Sequence, residues 1–282
     1  MKRTILILAT LALLISDFGQ AKADVVLTFN TPVPGTIQDA NGLGTGFTDR
    51  LPGTGTALPM NDPNLNLLTN PGTLSITSTN SDVLPPQNFQ NMEAVGLSMP
   101  SIGTADFSIS AMFQNIQVLS GSDQLMLYVG SDNNDFVRAG FHQGSPPYNN
   151  EALTVIGYHD GVQDEDGQGW SLGASNIMNG DDVNLSLSRT DGLLTMSWAD
   201  VTNPLVTGST PSLSFPWLNN FEDLYVGIYY TNPHDDISRT SEISLFSITT
   251  AVPEPSGLIM LALPIIGMLV YLRRRRVAPI AA

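Results

Sequence analysis

The 282-residue chain contains no cysteine, and its central part, residues 24–256, contains no lysine. The missing cysteine excludes disulfide bonds, thiolate metal sites and a cysteine nucleophile. The central part has four arginines against 25 acidic residues, so its net charge is −21. Nucleic acids and anionic bilayers bind clustered cations, and this composition therefore excludes both as electrostatic partners.

The other basic residues lie near the two ends of the chain. Residues 1–23 have the layout of a secretory signal peptide: two basic residues, an apolar run, and small side chains at Ala21 and Ala23. The apolar run of about 12 residues is shorter than the roughly 20 that a spanning helix needs. We therefore expect signal peptidase to cleave after Ala23, so that the mature chain begins at Asp24. An uncleaved membrane anchor is the alternative.

The C-terminal end combines a proline-rich pentapeptide, an apolar run and an arginine cluster, in that order. These are Pro253, Glu254, Pro255, Ser256 and Gly257, then Leu258 to Leu272, then Arg273, Arg274, Arg275 and Arg276. At 1.5 Å per residue, the apolar run covers roughly 22 Å, so a transmembrane helix over 257–272 has to thin the bilayer. The arginines stay cytoplasmic by the positive-inside rule, which places the acidic central part on the opposite side of the membrane.

This arrangement, from Val252 to Arg276, resembles the PEP-CTERM sorting domain of Gram-negative bacteria. The resemblance implies that an exosortase-type membrane transpeptidase recognises the Pro-Glu-Pro region and removes the tail. The body would then reach the cell envelope, the outer surface or an extracellular polymer matrix after a transient stay in the inner membrane. Residues 277–282 form a short cytoplasmic tail, where many such domains end sooner. A plain C-terminal anchor with a proline hinge is the alternative.

Between the two ends, short alternating apolar runs punctuated by glycine and proline predict β-strands. The run 183–187 alternates apolar and polar residues, and Asp191-Gly192 predicts a hairpin to the next run. Residues 31–71 are rich in Gly, Pro, Thr and Asn and predict a loop, with one short strand near Phe47. The runs predict an all-β, two-sheet sandwich of the jelly-roll type, because the body exceeds the roughly 100 residues of an immunoglobulin module.

Within this sandwich we expect residues 24–104 to supply N-terminal strands and loops, and residues 105–250 to form the main portion. The final strands are expected to face the core through Leu224, Val226 and Ile228 on one side and Ile243, Leu245 and Ile248 on the other.

Residues 105–250 resemble the central portion of concanavalin A-like lectin and glucanase sandwiches. The stretches that carry the resemblance are Ala105 to Ala111, Gln124 to Tyr128, Asp135 to Gly140, Gly192 to Thr195 and Asp223 to Ile228. The resemblance implies the concanavalin A-like fold and carries over no functional residue.

No sequence motif predicts a catalytic site. Retaining glycoside hydrolases place two carboxyl groups about 5 Å apart, and the nearest candidate for such a pair is Asp164-Glu165-Asp166. It lies between two glycines in a turn-rich segment, so we expect a solvated acidic loop. Calcium is the alternative, with Asp160, Asp164 and Asp166 as candidate ligands, because hard cations prefer carboxylate oxygens. We expect no other cofactor.

Other polar residues follow less specific patterns. The loop Asp132 to Asp135 has the same two interpretations, a solvated loop or an irregular calcium site. The histidines His142, His159 and His234 are far apart in the sequence and lack the short spacing of zinc ligands, so we expect them at the surface.

Trp170 and Tyr148 lie in polar stretches and are the candidates for contact with a glycan, since an aromatic ring can stack on a sugar.

Taken together, the sequence predicts an exported cell-surface or extracellular-matrix protein with a non-catalytic β-sandwich. Its expected partners are signal peptidase and the exosortase during processing, and extracellular polysaccharide afterwards. The alternative is a secreted glycoside hydrolase of the glucanase type.

Overall fold

The computed structural model describes residues 22–50, 61–78, 93–99, 102, 105–117, 123–132, 134–143, 151–163, 170–173, 177, 179–231 and 238–251. The first 21 residues and everything after Ala251 lie outside these ranges, including the predicted sorting motif, helix and arginine cluster. In the described ranges, no helix is long and apolar enough to cross a membrane. The chain divides into a compact unit Asp24–Thr250 and a second unit of Met1–Ala23 with Ala251–Ala282. Nearly all described residues belong to the first unit.

Seventeen strands form two sheets in the described residues. In chain order they are β1 (Lys22–Leu27), β2 (Asp49–Arg50), β3 (Leu65–Asn66), β4 (Leu74–Thr77), β5 (Glu93–Met99), β6 (Phe107–Gln114), β7 (Gln124–Gly130), β8 (Phe136–Gln143), β9 (Glu151–His159), β10 (Val162–Gln163), β11 (Trp170–Gly173), β12 (Val183–Thr190), β13 (Leu193–Asp200), β14 (Thr207–Ser209), β15 (Leu213–Ser214), β16 (Leu224–Thr231) and β17 (Thr240–Ala251). A 3₁₀ helix, Pro216–Asn220, precedes β16.

The nine-stranded sheet has the order β14-β13-β12-β6-β17-β4-β3, with β1 beside β17 and β15 beside β13. The eight-stranded sheet has the order β10-β9-β8-β7-β16-β5-β2, with β11 beside β9. The predicted all-β, two-sheet sandwich is confirmed. The hairpin predicted at Asp191-Gly192 joins β12 and β13, and both turn residues have positive φ.

Strand alternation builds the core between the sheets. In β6 and in residues 183–188 of β12, buried apolar residues alternate as predicted with half-buried or exposed ones, which are polar except for Met112. Arg189, the next inward residue of β12, is charged but also buried. The inward residues of both sheets form one hydrophobic cluster, which includes Phe113, Leu127, Val155, Leu185 and Ile228. At roughly 25 cal/mol for each Å² of apolar surface removed from water, this cluster is the main source of stability.

The prediction that Leu245 faces the core is wrong. Ile243 and Ile248 are fully buried in the cluster, but Leu245 is only half-buried. The pairing of β17 with β6 shifts register between Ile243 and Leu245, which is a β-bulge. The extra residue inverts the alternation, so that Phe246 takes the core position.

The segment predicted as a loop with one short strand near Phe47 contains two short strands among its described residues. Phe47 is fully buried, β2 follows directly after it, and β3 is the other short strand of the segment. The carboxylate of Asp39 organises the loop, because it accepts backbone N–H groups from Leu43 at 2.9 Å and Leu67 at 2.8 Å. Buried backbone groups require such partners when no strand supplies them.

The 3₁₀ helix packs against β9. A Cβ atom at Gly157 would lie 2.4 Å from a ring carbon of Phe215, so only glycine permits this contact. Trp217 and Leu218 of the helix are buried. The contact fixes Trp217 beside the end of β9, where His159 lies.

Candidate functional site

The outer side of the eight-stranded sheet carries a second hydrophobic cluster, separate from the core. We call it the aromatic face; its members are Ala94, Met126, Tyr128, Phe136, Tyr158 and Tyr229. Three of its rings lie side by side across β7, β8 and β9. The Tyr128 and Phe136 centroids are 5.3 Å apart, and those of Phe136 and Tyr158 are 4.8 Å apart, with nearly parallel planes.

Arg138 lies in the middle of the aromatic face and is only 4% exposed. Its guanidinium donates to Gln124 Oε1 at 2.8 Å, to the Tyr229 hydroxyl at 3.1 Å and to the Tyr158 hydroxyl at 3.0 Å. It also lies 5.1 Å from the centre of the Tyr158 ring, a cation–π contact. In the part of the chain that the structure describes, Arg138 forms no ion pair. Neutral oxygens and an aromatic ring therefore offset the cost of burying this charge.

Burial and the Arg138 charge also shift the pKa values of neighbouring groups. Burial raises the pKa of Tyr229 to about 12, and the Arg138 charge opposes that rise. Burial, reinforced by Arg138, lowers the pKa of His142 to about 4. The imidazole of His142 is therefore neutral at neutral pH.

Three polar side chains converge at one end of this sheet. We call Asp135, His159 and Asp160 the histidine cluster; one ligand atom from each lies within 4.8 Å of the others. Asp135 Oδ1 is 2.5 Å from His159 Nδ1 and accepts the backbone N–H of Asp160 at 3.0 Å. His159 Nε2 is 3.9 Å from Asp160 Oδ2. The side chains of His159 and Asp160 are 43% and 86% exposed, so they are open to a ligand.

Strand register and a tight turn assemble the cluster. Phe136 pairs with Tyr158, so Asp135 and His159 are the next residues on two neighbouring strands. Asp160 and Gly161 then turn the chain with φ values of 53° and 75°, a conformation typical of Asp-Gly hairpins. His159 stacks on Trp217 with centroids 5.2 Å apart and planes 4° apart, which fixes the ring orientation.

The cluster can bind in two ways. The carboxylate of Asp160 accepts hydrogen bonds, and the imidazole of His159 offers a donor or an acceptor at Nε2, so together they suit a pair of hydroxyl groups. The same atoms also suit a cation. Asp135 holds the imidazole from the opposite ring nitrogen, as carboxylates do behind many ligand-binding histidines.

The structure places the predicted site residues unevenly. Asp160 lies in the histidine cluster, whereas Asp164, Asp166, Tyr148 and His234 lie outside the described residues, and calcium at these acids stays a prediction. Trp170 begins β11, opposite Val155, but its side chain is not among those described.

The two acidic residues of the loop Asp132 to Asp135 have different roles. Asp132 Oδ1 accepts the backbone N–H groups of Asn134 at 2.7 Å and Asp135 at 3.0 Å, so it stabilises the turn. Asp135 belongs to the cluster. Its partnership with His159 was missed because the two residues are 24 positions apart. The signal in the sequence was that one apolar run begins just after Asp135 and the next run ends just before His159, so that pairing of the two strands would bring these residues together.

Comparisons with known proteins show the fold. No protein-family model matches the chain, and no curated protein matches it in sequence. Among solved structures, the chain is similar to xylan beta-1,4-xylosidase from Bacillus halodurans C-125, with a TM-score of 0.54 and 12% identity over 79% of this chain and 38% of that one. The chain thus spans well under half of the xylosidase.

Two further solved structures cover nearly all of their own chains. The CBM2 module of the evolved Dit of Lactobacillus casei BL23 phage J-1 has a TM-score of 0.54 and 10% identity, over 83% of this chain and 98% of that one. Peanut lectin, in complex with a 9-residue peptide, has a TM-score of 0.50 and 14% identity, over 82% and 97%. The body therefore has the concanavalin A-like lectin and glycosidase sandwich fold.

Proposed function

We propose that this protein is an exported cell-surface or extracellular-matrix protein whose β-sandwich binds carbohydrate without catalysis. The observation that carries the binding proposal is the histidine cluster. There the exposed His159 and Asp160 lie beside the buried Asp135 at one end of the eight-stranded sheet.

The geometry of the cluster supports binding of sugar hydroxyls. Asp160 Oδ2 and His159 Nε2 are 3.9 Å apart, so one hydroxyl or two neighbouring hydroxyls of a ring can contact both groups. Asp135 and the stacked Trp217 hold the imidazole in place before the ligand arrives. Such preorganisation lowers the entropy cost of binding.

Fold similarity gives associational support. Peanut lectin and a xylan beta-1,4-xylosidase share the sandwich fold with this chain. The proposed export rests on the two terminal signals of the sequence, the 1–23 signal peptide and the PEP-CTERM region at 251–276. In the sequence, residues 24–250 lie between these two signals.

A matched pair of variants tests the binding site. Asp160 and Asp191 both precede glycine in a hairpin turn and have φ values of 53° and 52°. Asparagine tolerates this conformation, so Asp160→Asn and Asp191→Asn make the same chemical change in the same backbone. On a glycan array, we expect Asp160→Asn to lose at least about tenfold in affinity and Asp191→Asn to match the unmodified protein. Equal binding by both variants, or no glycan bound by the unmodified protein, would refute the proposal.

A secreted glycoside hydrolase is the second candidate, because carboxylate oxygens of Asp135 and Asp160 lie within 4.8 Å of each other. Retaining enzymes of this kind need two carboxyl groups about 5 Å apart. Asp135, however, already accepts two hydrogen bonds and is almost fully buried. Incubation with polysaccharides distinguishes the two functions: released reducing ends that disappear in Asp160→Asn would establish the hydrolase.

Sorting has an independent test. Replacing Pro253, Glu254 and Pro255 with alanine should leave the C-terminal tail attached and the protein in the inner membrane fraction. Processing at the unmodified rate would show that this region is not the recognition element.

A further inference from the structure

The outer side of the nine-stranded sheet carries two parallel rows of hydroxyl side chains. The first row runs across five strands by register: Ser209, Ser197, Ser186, Ser110 and Ser247. The second row has four residues in register, Thr195, Ser188, Ser108 and Thr249, and is extended by Ser212, whose hydroxyl bonds that of Thr195. We call these ten residues the hydroxyl face.

The hydroxyl groups are accessible and have spare hydrogen-bonding capacity. All ten residues are half-buried or exposed, while most of their neighbours in β6, β12, β13 and β17 belong to the hydrophobic core. Within the first row, Ser110 bonds Ser247 at 2.8 Å and Ser186 bonds Ser197 at 2.7 Å. A hydroxyl donates once and accepts twice, so each of these pairs keeps unused acceptor capacity.

The face is uncharged although the body carries −21. Neither row contains a charged residue, and the next row toward the other end of the strands continues with Ala199, Asn184, Met112 and Leu245. These fourteen positions therefore form an uncharged area in a body that has 25 acidic and four basic residues.

The negative charge of the body indicates which class of partner can bind the hydroxyl face. A second copy of this chain brings another strongly negative body, and an anionic polymer brings its own negative charge, so both are repelled. A neutral, hydroxyl-rich polymer approaches without that penalty and offers a donor or acceptor at every ring.

The dimensions suit an extended polymer lying flat. Neighbouring strands are about 4.8 Å apart, so a row of five residues across the strands is about 19 Å long. Same-face side chains along one strand are about 6.7 Å apart, which is the distance between the two rows. Many weak contacts along one chain add up, since the later contacts form at high effective concentration.

We infer that the hydroxyl face is a second saccharide-binding surface, and that it binds neutral polysaccharide through rows of serine and threonine hydroxyls. It lies on the opposite sheet from the histidine cluster and does not depend on it. The two sites bind saccharide differently: the histidine cluster contacts a few hydroxyls of one sugar, and the hydroxyl face binds a length of polymer.

The test uses the full chain in detergent, sedimented with microcrystalline cellulose and with starch granules as neutral polymers and with calcium-free alginate beads as the anionic one. Ser186→Asp places a charge at the centre of the first row. Gln163→Asp places the same charge on an exposed residue of β10 in the other sheet and serves as the control. Because Ser186→Asp could affect folding, the double variant Ser110→Ala, Ser186→Ala removes two hydroxyls without adding charge.

We expect the unmodified chain to sediment with at least one neutral polymer and not with alginate. Ser186→Asp should weaken retention about tenfold and the alanine pair about threefold, while Gln163→Asp retains the polymer normally. Retention of both face variants at the unmodified level, retention on alginate equal to that on the neutral polymer, or failure to bind either neutral polymer would overturn the inference. A dimer in analytical ultracentrifugation that Ser186→Asp dissociates would also overturn it, since the face would then bind a second copy. Loss of sedimentation in Ser186→Asp without loss of its glycan-array binding separates the two sites.

Discussion

The two outer faces of this sandwich are built by the same strand alternation but have opposite chemistry. On the eight-stranded sheet the outward residues include four aromatic rings beside a buried arginine, and Tyr128 and Tyr229 are at most 2% exposed. On the nine-stranded sheet they include two rows of serines and threonines that remain partly exposed. Alternation thus determines which residues point outward, while the composition of those positions determines whether a face becomes a rigid network or an open binding surface.

The largest expected effect comes from the centre of the aromatic face. Arg138→Ala removes the hydrogen bonds that Arg138 donates to Tyr158 and Gln124, and it leaves a cavity. We therefore expect the free energy of unfolding to fall by about 3 kcal/mol. Urea denaturation followed by tryptophan fluorescence measures this. Gln163→Ala, on an exposed strand of the same sheet, is the control and should change stability by less than about 0.5 kcal/mol. A loss below about 1 kcal/mol for Arg138→Ala would show that the network does not stabilise the sheet.

The next largest effect is on the pH dependence of stability, which we expect to differ between variants of the two faces. His142 has a folded pKa of about 4, below the 6.5 of an unfolded chain, because burial and Arg138 disfavour its charged form. Between these values the unfolded state binds more protons, so stability falls as pH decreases from 6.5 to 4. The loss reaches at most about 3 kcal/mol. His142→Gln should flatten the unfolding free energy over this pH range, whereas variants of the hydroxyl face, which holds no titratable group, should keep the slope.

If His142→Gln leaves the slope unchanged, other groups cause the pH dependence, and the two faces do not differ in the predicted way. Carboxylates that titrate mainly below pH 5 set the background of this measurement. The difference between His142→Gln and the unmodified protein, taken above pH 5, therefore carries the test.

Much of this comparison was accessible from the sequence. Alternation in the run 107–113 separates core residues from outward serines, and the structure confirms that division. The sequence pattern failed at Leu245, because a β-bulge is one extra residue in a strand and leaves no local signature there. It also missed the aromatic face, since period-two alternation places Arg138 outward but does not reveal that an outward position is buried.

The binding sites show the same limit. Asp160 was a candidate by its residue type and His159 directly precedes it, but the third member, Asp135, lies 25 positions earlier in a different turn. The rows of hydroxyls are likewise a property of register: Ser110, Ser186 and Ser247 come from three separate strands. Local patterns predict strands well, whereas sites formed across strands need the pairing itself.

A smaller effect compares one hairpin turn from each sheet. Gly161 and Gly192 have φ values of 75° and 78°, so alanine is strained at both positions. A Cβ at Gly161 would lie 3.3 Å from Asn134 Oδ1, while at Gly192 the nearest atom is 3.8 Å away. We expect Gly192→Ala to lower the free energy of unfolding by about 1 kcal/mol and Gly161→Ala by about 1.5 kcal/mol. Thermal unfolding of both variants measures the order, and a larger loss for Gly192→Ala would contradict it.

The smallest effect concerns a hydrogen bond on the hydroxyl face. Ser186 and Ser197 are bonded at 2.7 Å, but both are partly exposed, so water replaces the lost partner when either becomes alanine. A double-mutant cycle of Ser186→Ala and Ser197→Ala should give a coupling energy of no more than about 0.5 kcal/mol. The same cycle with Arg138→Ala and Tyr158→Phe on the aromatic face should give about 1–2 kcal/mol, because no solvent reaches that bond. Equal coupling in the two cycles would mean that the serine rows are themselves structural. Weak coupling in the serine cycle would leave the hydroxyl groups free to exchange neighbours for a ligand, which a binding surface requires and a structural network does not.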